Sequence, residues 1–365
     1  MRPPALLRMC ACATLLIARA VGATTFCVST SGELQDALTE AGSNGADDVI
    51  RIKTGTYDIA IPFVAVAFLY ETSQNFDVTL QGGWVGNADE CSRRSLNPAS
   101  TVLTGSGSKA VLWMIGAAGS RGDMIVQQLT IRDGNSPDYG AGLRIGSNSG
   151  INGFEGDLIV ERVYFDNNNS DAWAAGLAIE TGGGVRVRDN VFRSNSCGVN
   201  ACAGELFAFS DDAVEVRQTF GNNTLVGNVC NDDAGSGCTT GGILINGWID
   251  YMPRTSVHNN LFALNDGNDL QLIQDSHVDV MYNNINQMSG IPESDFGNLH
   301  VINPHFVSLL DDNFRLLADS PMRNAGGNGF PYGEEDFDGA ARVQEDRVDI
   351  GAFEFGDGIF ANGFE

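Results

Sequence analysis

The amino-acid sequence predicts an all-β fold, a single-stranded right-handed parallel β-helix with a short N-terminal capping helix. A short phrase, ending in asparagine in most of its copies, begins at positions 129, 163, 190, 223, 260 and 283, in steps of 34, 27, 33, 37 and 23 residues. Short apolar stretches alternate with turns rich in Asn, Asp and Gly, and only one segment has helical spacing. A repeat of this variable length is typical of a solenoid whose coils carry loops on one side.

The first residues predict a secretory signal peptide over residues 1–23. Arg2 and Arg8 make a basic start, Leu6–Ile17 is mostly apolar, and Val21–Ala23 supplies small residues for cleavage. The apolar stretch is shorter than the roughly 20 residues that span a membrane, and no later segment is long enough. We therefore expect a secreted or cell-surface protein without a transmembrane segment, whose β-helix domain covers residues 24–355.

One short helix is predicted directly after the signal peptide. It starts at Ser31, and Leu34, Ala37, Leu38 and Ala41 are apolar at helical spacing, before an Asn-Gly pair that ends it. A helix in this place would cover the first coil, which otherwise exposes apolar core and unpaired backbone.

Short strands between polar turns are predicted for the rest of the chain, about three to a coil. Strands this short are not stable alone, but coils stacked about 4.8 Å apart would bond to each other. Asparagines at equivalent turns would then exchange amide hydrogen bonds along the axis. The predicted strands are Asp48–Ile52, Val78–Leu80, Val102–Leu103, Val111–Ile115, Ile125–Ile131, Leu158–Phe165, Val185–Val187, Val214–Val216, Gly242–Ile245, a strand at Val257, Leu270–Ile273, Val278–Val280 and Leu299–Ile302.

The chain is strongly acidic, with a formal net charge of -25. Three of its 21 basic residues lie in the predicted signal peptide, so the mature chain would carry 18 - 46 = -28. Such a surface repels nucleic acid and anionic lipid. It also argues against a polyanionic substrate such as pectate or alginate, unless calcium bridges the charges.

Eight cysteines are present, and six remain after the signal peptide. An even number in an exported protein predicts disulfides. Six cysteines allow 15 pairings, but the spacing suggests two local bridges and one near the N-terminal cap. A zinc site is the alternative, and close Cys-x-x-Cys pairs and a neighbouring His are both missing. The suggested pairs are Cys197 with Cys202, Cys230 with Cys238, and Cys27 with Cys91.

Several parts of the chain resemble the right-handed parallel β-helix family of exported bacterial proteins. Leu34–Leu38 followed by Asp48–Tyr57 resembles the family's N-terminal cap and first coil. Residues 356–365 resemble the Ile-Phe-x-x-Gly-Phe-Glu tails of some such proteins, which implies a sorting tail. The resemblance implies a fold and a bacterial envelope location, and it implies no activity. The motifs that resemble the end of the choice-of-anchor Q type are Asn303–Phe306, Phe314–Leu316, Asp319–Gly326, Asp336–Arg342 and Val348–Glu354.

Catalytic residues are sought among those that polysaccharide-active β-helix enzymes use. Asp211 and Asp212 would suit a polygalacturonase-like hydrolase, which needs two carboxylates. Such a hydrolase also needs a Gly-His pair and an Arg-x-Lys motif further along the chain. No Gly-His follows here, and the only Arg-x-Lys lies in the first coil. A lyase would need a Lys or Arg base. Arg186 and Arg188 alternate with inward-facing valines, so we expect both on the outer face of a strand, either as a binding surface or as a solvated face.

Three aromatic residues are candidates for stacking on sugar rings: Trp173, Trp248 and Tyr251. Packing in the core is the alternative for each. No cofactor is expected. Calcium is the alternative because acidic pairs lie on loops, but each pair offers fewer than the six oxygens that calcium takes. The pairs are Asp211 with Asp212, Asp232 with Asp233, and Asp266 with Asp269.

The sequence favours an exported, non-catalytic β-helix protein that binds a polysaccharide or a cell-surface glycan. The basis is a complete β-helix pattern without a recognisable acid-base set. A polysaccharide lyase or glycoside hydrolase with an unfamiliar active site is the alternative. Three or more Asp, Arg, Lys or His side chains converging in a groove would favour the enzyme.

Overall fold

The fold is a parallel β-helix with one α-helix at its N-terminal end. The computed structural model describes residues 22–59, 64–87, 90–147, 153–208, 217–231, 237–247, 254–273, 277–330 and 333–356. Most of the predicted signal peptide, the tail after Gly356 and the predicted strand Val214–Val216 lie outside these residues. Over the ranges that the structure describes, no helix is long and apolar enough to cross a membrane.

Short strands follow one another from Thr24 to Leu316. The first half contains β1 (Thr24–Val28), β2 (Asp48–Lys53), β3 (Gly55–Tyr57), β4 (Val66–Thr72), β5 (Val78–Val85), β6 (Arg93–Arg94), β7 (Thr101–Thr104), β8 (Ala110–Gly116), β9 (Met124–Arg132), β10 (Asn135–Ser136), β11 (Leu143–Gly146), β12 (Leu158–Asp166), β13 (Asn169–Ser170), β14 (Leu177–Thr181) and β15 (Val185–Arg188). The second half contains β16 (Val191–Arg193), β17 (Ser196–Cys197), β18 (Gly204–Ala208), β19 (Arg217–Gly221), β20 (Thr224–Val226), β21 (Val229–Cys230), β22 (Ile243–Gly247), β23 (Arg254–His258), β24 (Leu261–Ala263), β25 (Leu270–Ile273), β26 (Val278–Met281), β27 (Met288–Ser289), β28 (Ser294–Phe296), β29 (Phe306–Ser308) and β30 (Asn313–Leu316).

Three parallel sheets form the faces of the solenoid. Sheet A runs β1-β2-β5-β9-β12-β15-β19-β23-β26-β28 and also holds β3, β7, β16, β20, β24 and the short β6, which pairs antiparallel with β5. Sheet B runs β4-β8-β11-β14-β18-β22-β25-β27, and the short sheet C runs β10-β13-β17-β21. The three faces agree with the prediction, but a middle coil has four strands because a left-handed residue, Asp189 (φ 56°), divides its sheet A segment into β15 and β16.

One apolar column fills the interior along the whole axis. Alternate residues of each strand point inward, and parallel pairing places equivalent residues of successive coils one above another. Aromatic rings extend this stacking: Phe165 and Phe192 lie 4.7 Å apart with planes inclined by 10°. The innermost column of sheet A is Ile50, Leu80, Val126, Val160, Val187, Phe220, Val257 and Val280.

Two asparagine ladders join the coils at the turns, as predicted. Each side-chain amide donates to the Oδ1 atom of the next ladder residue at 2.8–3.0 Å, and that oxygen also accepts the backbone N–H of the residue below. The residue before each ladder position has positive φ, which lets the chain turn sharply. The first ladder is Asn190, Asn223, Asn260, Asn283 and Asn298, and the second is Asn168, Asn195, Asn228 and Asn265.

Helix α1 (Ser31–Ala41) covers the first coil and confirms the predicted cap. Its N-cap is Thr30, one residue before the predicted start, since the Thr30 hydroxyl accepts the Glu33 N–H and the Glu33 carboxylate accepts the Thr30 N–H. Its buried side chains are those predicted from the spacing, including Leu34 and Leu38. A single 3-10 turn, Pro98–Ser100, is the other helical segment of the described chain.

A C-terminal strap, residues 303–330 and 333–356, folds back along the outside of sheet A. It crosses the αL row, which consists of the left-handed residues Arg162, Asp189, Asn222, Asn259 and Tyr282, and the last four of these each directly precede a first-ladder asparagine. Gly327 exchanges two hydrogen bonds with Asn259, of 2.7 and 3.2 Å. The strap and sheet A form a second apolar core from Val191, Val226, Leu261, Ala263, Phe306, Phe314, Leu316, Met322, Phe337, Ile350, Ala352 and Phe353.

Three disulfides join the cysteine pairs that the spacing suggested, Cys27–Cys91, Cys197–Cys202 and Cys230–Cys238.

The predicted strand Leu299–Ile302 is wrong. Leu299 makes a single bridge to Asn284, and Ile302 is 79% exposed, because the chain leaves the last coil here to enter the strap.

Candidate functional site

The outer face of sheet B carries a cluster of polar and aromatic side chains on successive coils. In β11 and β18 the apolar residues point into the core, so the alternate residues Arg144 and Glu205 point outward. Parallel register aligns Trp113, Arg144, Ala178 and Glu205 in one row across four coils.

Glu205 is the most deeply buried acidic group of this face, at 6% exposure. Its carboxyl accepts a hydrogen bond from Asn246 Nδ2 at 3.2 Å, and the Tyr139 hydroxyl is a second partner. The pKa of Glu205 is raised to about 7, chiefly by burial and also by the neighbouring Glu180 carboxylate, while the two hydrogen bonds oppose the shift. Near neutral pH this group therefore exists in both the acid and the carboxylate form.

Arg144 brings a positive charge to the same cluster. Its guanidinium carbon lies 5.3 Å from the centre of the Tyr139 ring and 5.9 Å from the centre of the Trp113 ring. These distances suit cation–π attraction. Burial raises the pKa of Tyr139 well above its ordinary value, with further increases from Glu205 and Glu180. Among the described residues, the buried Nε of Arg144 has no hydrogen-bond partner.

Trp173 lies beside this cluster. It is the parallel bridge partner of Tyr139 on the next coil, and Asn200 follows it one coil later. Trp173 is partly exposed, so it is neither buried in the core nor fully exposed to solvent. The residue predicted to stack on sugars thus stands next to the Glu205 cluster.

The Glu205 cluster combines the groups that recognise hydroxylated ligands. A carboxyl, an amide and a phenol can donate or accept hydrogen bonds, and a guanidinium can donate. Aromatic rings on two neighbouring coils offer apolar faces. We define the sheet B site as Tyr139, Arg144, Trp173, Glu180, Glu205 and Asn246.

The remaining predicted site residues lie elsewhere or outside the described chain. Arg186 is exposed on the outer face of sheet A, and Arg188, also on that face, forms an ion pair with Glu161 at 2.6 Å. Arg188 is therefore part of the contact between neighbouring coils. Asp211, Asp212, Trp248 and Tyr251 lie outside the described residues, in the segments that follow β18 and β22 in the chain.

Of the acidic pairs considered for calcium, the one that the structure describes, Asp266 with Asp269, has other partners. Asp266 Oδ2 accepts the N–H of Cys230 at 3.2 Å. Asp269 accepts from Asn265 and from the backbone of residues 286 and 287. Asp232 and Asp233 lie outside the described residues. In the described part of the chain, the one group of three potential metal ligands within 4.8 Å is formed by cysteines.

A second polar surface lies at the corner next to sheet C. It is an open depression of about 610 Å³ lined by turn residues of successive coils. Its side chains bond to each other, since Asn167 donates to Asp133 at 2.7 Å and Asn169 donates to Asn135 at 3.1 Å. The side chains of this surface are therefore already paired with one another.

No family model, no curated protein and no solved structure matches this chain. The resemblance to choice-of-anchor Q proteins remains a prediction from the motifs.

Sequence reasoning found one member of the sheet B site, Trp173, and missed the others. A sequence pattern that could have revealed them is present in the segments Leu143–Gly146 and Gly204–Ala208, where Arg144 and Glu205 alternate with core residues. Only the register between coils brings Arg144, Glu180 and Glu205 to one face, and that register depends on loops of unequal length.

Proposed function

We propose that this protein is an exported β-helix protein that binds a neutral polysaccharide on the outer face of sheet B. The observation that carries the proposal is the Glu205 cluster, where Asn246 and Tyr139 partner a buried carboxyl and Trp173 is the bridge partner of Tyr139 on the next coil. Ligand sites of this type combine aromatic walls with a few convergent polar groups. Three disulfides support a location outside the reducing cytoplasm.

The charge of the protein favours a neutral polymer over a polyuronate. The chain has a net charge of -25, and the site holds two carboxyl groups, Glu180 and Glu205, against one guanidinium, Arg144. A polyanion would meet long-range repulsion that weakens as salt is added. Hydroxyl groups of a neutral sugar bring no such penalty.

Binding is tested with soluble xylan, mannan and β-glucan as neutral probes and with polygalacturonate and alginate as anionic probes. At least one neutral polymer should bind, and Trp173→Ala should weaken its affinity about tenfold, equivalent to about 1.4 kcal/mol. Phe76→Ala is the matched control, because Phe76 is an exposed aromatic residue outside this site. Equal affinity of Trp173→Ala and the unmodified protein would contradict the proposal, as would binding of the anionic probes alone.

Glycoside hydrolysis is the second candidate, favoured by the convergence of Arg144, Glu180 and Glu205. Glu180 lies on the coil next to Glu205, two residues beyond its register partner Ala178. A strand spacing of about 4.8 Å and a two-residue step of about 6.6 Å place the two Cα atoms roughly 8 Å apart. A carboxyl with a raised pKa beside a second carboxyl is the arrangement of an acid and base pair.

Catalysis and binding are separated by Glu205→Gln, which keeps the size of the side chain and removes its proton transfer. If the protein is a hydrolase, new reducing ends should appear from the bound polymer, and Glu205→Gln should abolish them while binding persists. If no reducing ends form while the polymer binds, the protein is a binding protein alone.

A further inference from the structure

Four cysteines meet at the corner between sheet C and sheet B. Cys197 ends β17 and Cys230 ends β21, and these two residues are register partners on successive coils. Each bonds to a cysteine in the loop that follows in its own coil, namely Cys202 and Cys238. Two local disulfides are therefore stacked one above the other.

The sulfur atoms of the two disulfides are in contact. The Sγ atom of Cys202 lies 3.8 Å from that of Cys238 and 4.0 Å from that of Cys230, and Cys197 Sγ lies 4.0 Å from Cys238 Sγ. In a tetrahedral zinc site with Zn–S bonds of about 2.3 Å, neighbouring sulfurs are about 3.8 Å apart. Three of the six edges of a four-sulfur tetrahedron thus already have about the required length. The two bonded pairs are shorter, and the sulfurs of Cys197 and Cys230 are farther apart, since only those of Cys197, Cys202 and Cys238 all lie within 4.8 Å of one another.

The surroundings of these sulfurs suit a thiolate metal site. Cys197 and Cys202 are fully buried, while Cys230 and Cys238 are partly buried at the mouth of the cluster. Ala175 packs against the sulfurs from the coil before. A shielded group of four soft ligands selects zinc or a similar thiophilic cation over calcium or magnesium.

We propose that the four cysteines form a Zn²⁺ site when the two disulfides are reduced. Each disulfide takes up two electrons and two protons from a dithiol reductant, which is itself oxidised to a disulfide. The four thiols then bind one Zn²⁺ through their sulfurs and release their protons. The bonded sulfur pairs move apart within the same corner, and the coils keep their register. This proposal is independent of the sheet B site, and it applies only where a dithiol reductant acts on the protein, because the exported protein keeps both disulfides.

Cobalt is the optical probe for this site. The full chain is reduced with dithiothreitol, freed of reductant by anaerobic gel filtration, and titrated with Co²⁺. We expect one equivalent of Co²⁺ to produce the thiolate charge-transfer and visible bands of tetrahedral cobalt, and one equivalent of Zn²⁺ to bleach them. The oxidised protein should give no bands, because a disulfide sulfur is not a thiolate.

Two cysteine pairs provide matched variants. Cys197→Ser with Cys202→Ser removes two of the four ligands and should abolish the bands. Cys27→Ser with Cys91→Ser removes the separate N-terminal disulfide and should leave them unchanged. Far-ultraviolet circular dichroism confirms that each reduced protein retains its β-structure.

Three results would each overturn the proposal. The first is a folded, reduced protein without tetrahedral cobalt bands. The second is the same bands in the Cys197→Ser, Cys202→Ser variant. The third is a reduced chain that loses its β-structure and does not regain it when Zn²⁺ is added. The four cysteines come together only in the folded chain, so an unfolded chain would have no such site.

Discussion

Single asparagine residues carry much of the hydrogen bonding between coils. Asn223 is fully buried, and its amide nitrogen donates to Val187 O at 3.1 Å and to Asn260 Oδ1 at 3.0 Å. Its Oδ1 atom accepts both the backbone and the side-chain N–H of Asn190 at 3.0 Å. A short side chain with two donors and one acceptor oxygen at one end is required for this chain of bonds.

Asn223→Asp should destabilise the protein strongly. The change replaces two donors by a carboxylate oxygen that faces the acceptors of Val187 and Asn260. We expect the free energy of unfolding to fall by at least about 3 kcal/mol, because a buried charge and two buried acceptors lose their partners. Urea denaturation at pH 7 measures it. Asn231→Asp, the same change at an exposed residue, should cost little, and equal losses in the two variants would refute the ladder's role.

Among the structural elements, the strap explains the C-terminal sequence motifs. In the segment Asp336–Arg342, the Asp336 carboxylate accepts the N–H groups of residues 338 and 340, which forms a tight turn. Arg342, 1% exposed, then reaches Asp189 at 3.5 Å and Glu354 at 3.3 Å and donates to Ala352 O at 3.0 Å. These residues hold the strap against the αL row, and none of them lies in the sheet B site.

Arg342→Met should release the strap from the coils. Removal of the guanidinium leaves two buried carboxyls and the Ala352 carbonyl without their donor, and each buried polar group left unpaired costs about 1–3 kcal/mol. We expect faster cleavage within the strap by a protease and a lower urea midpoint, and Asp189→Asn should restore part of the loss in the double variant. Arg121→Met is the control, since Arg121 forms an exposed ion pair with Glu155. A protease-resistant Arg342→Met protein would show that the strap is held by its apolar contacts alone.

Elements with a local signal were predicted well, and those set by long-range contacts were not. Helix α1 follows from apolar spacing and most strands from alternation, so both were predicted from the sequence. The prediction of a strand at Leu299–Ile302 was wrong because Leu299 and Val301 pack against the second apolar core and Ile302 is exposed to solvent. Tyr139 and Glu205 are 66 residues apart, and no local pattern brings them together.

At the scale of the whole molecule, four buried carboxyl groups of this acidic protein have raised pKa values. Burial raises the pKa of Glu205 to about 7, of Asp336 to about 6 and of Glu354 to about 8. Burial also raises the pKa of Asp189 to about 7, and the positive charges of Arg342 and Arg188 oppose this rise. All four values lie above the ordinary 3.8 of Asp or 4.5 of Glu.

The folded protein should be more stable at pH 5 than at pH 8. As pH rises, the unfolded chain loses these protons first, so the stabilisation is complete below about pH 4 and is lost by about pH 8. We expect the free energy of unfolding to fall by about 3 kcal/mol or more from pH 5 to pH 8. Glu205→Gln should flatten part of this slope, while Glu155→Gln, at an exposed site, should not. A stability that rises with pH would contradict the raised pKa values.

The strap also distinguishes a complete chain from a shortened one. A chain cut before residue 303 would retain the segments that wind the coils, yet Val191, Val226 and Leu261 would face water as an apolar stripe along three successive coils. Exposed stripes of this kind are bound by chaperones and cut by proteases. Only a chain synthesised to its strap hides the stripe, so the fold carries its own check on the completeness of synthesis.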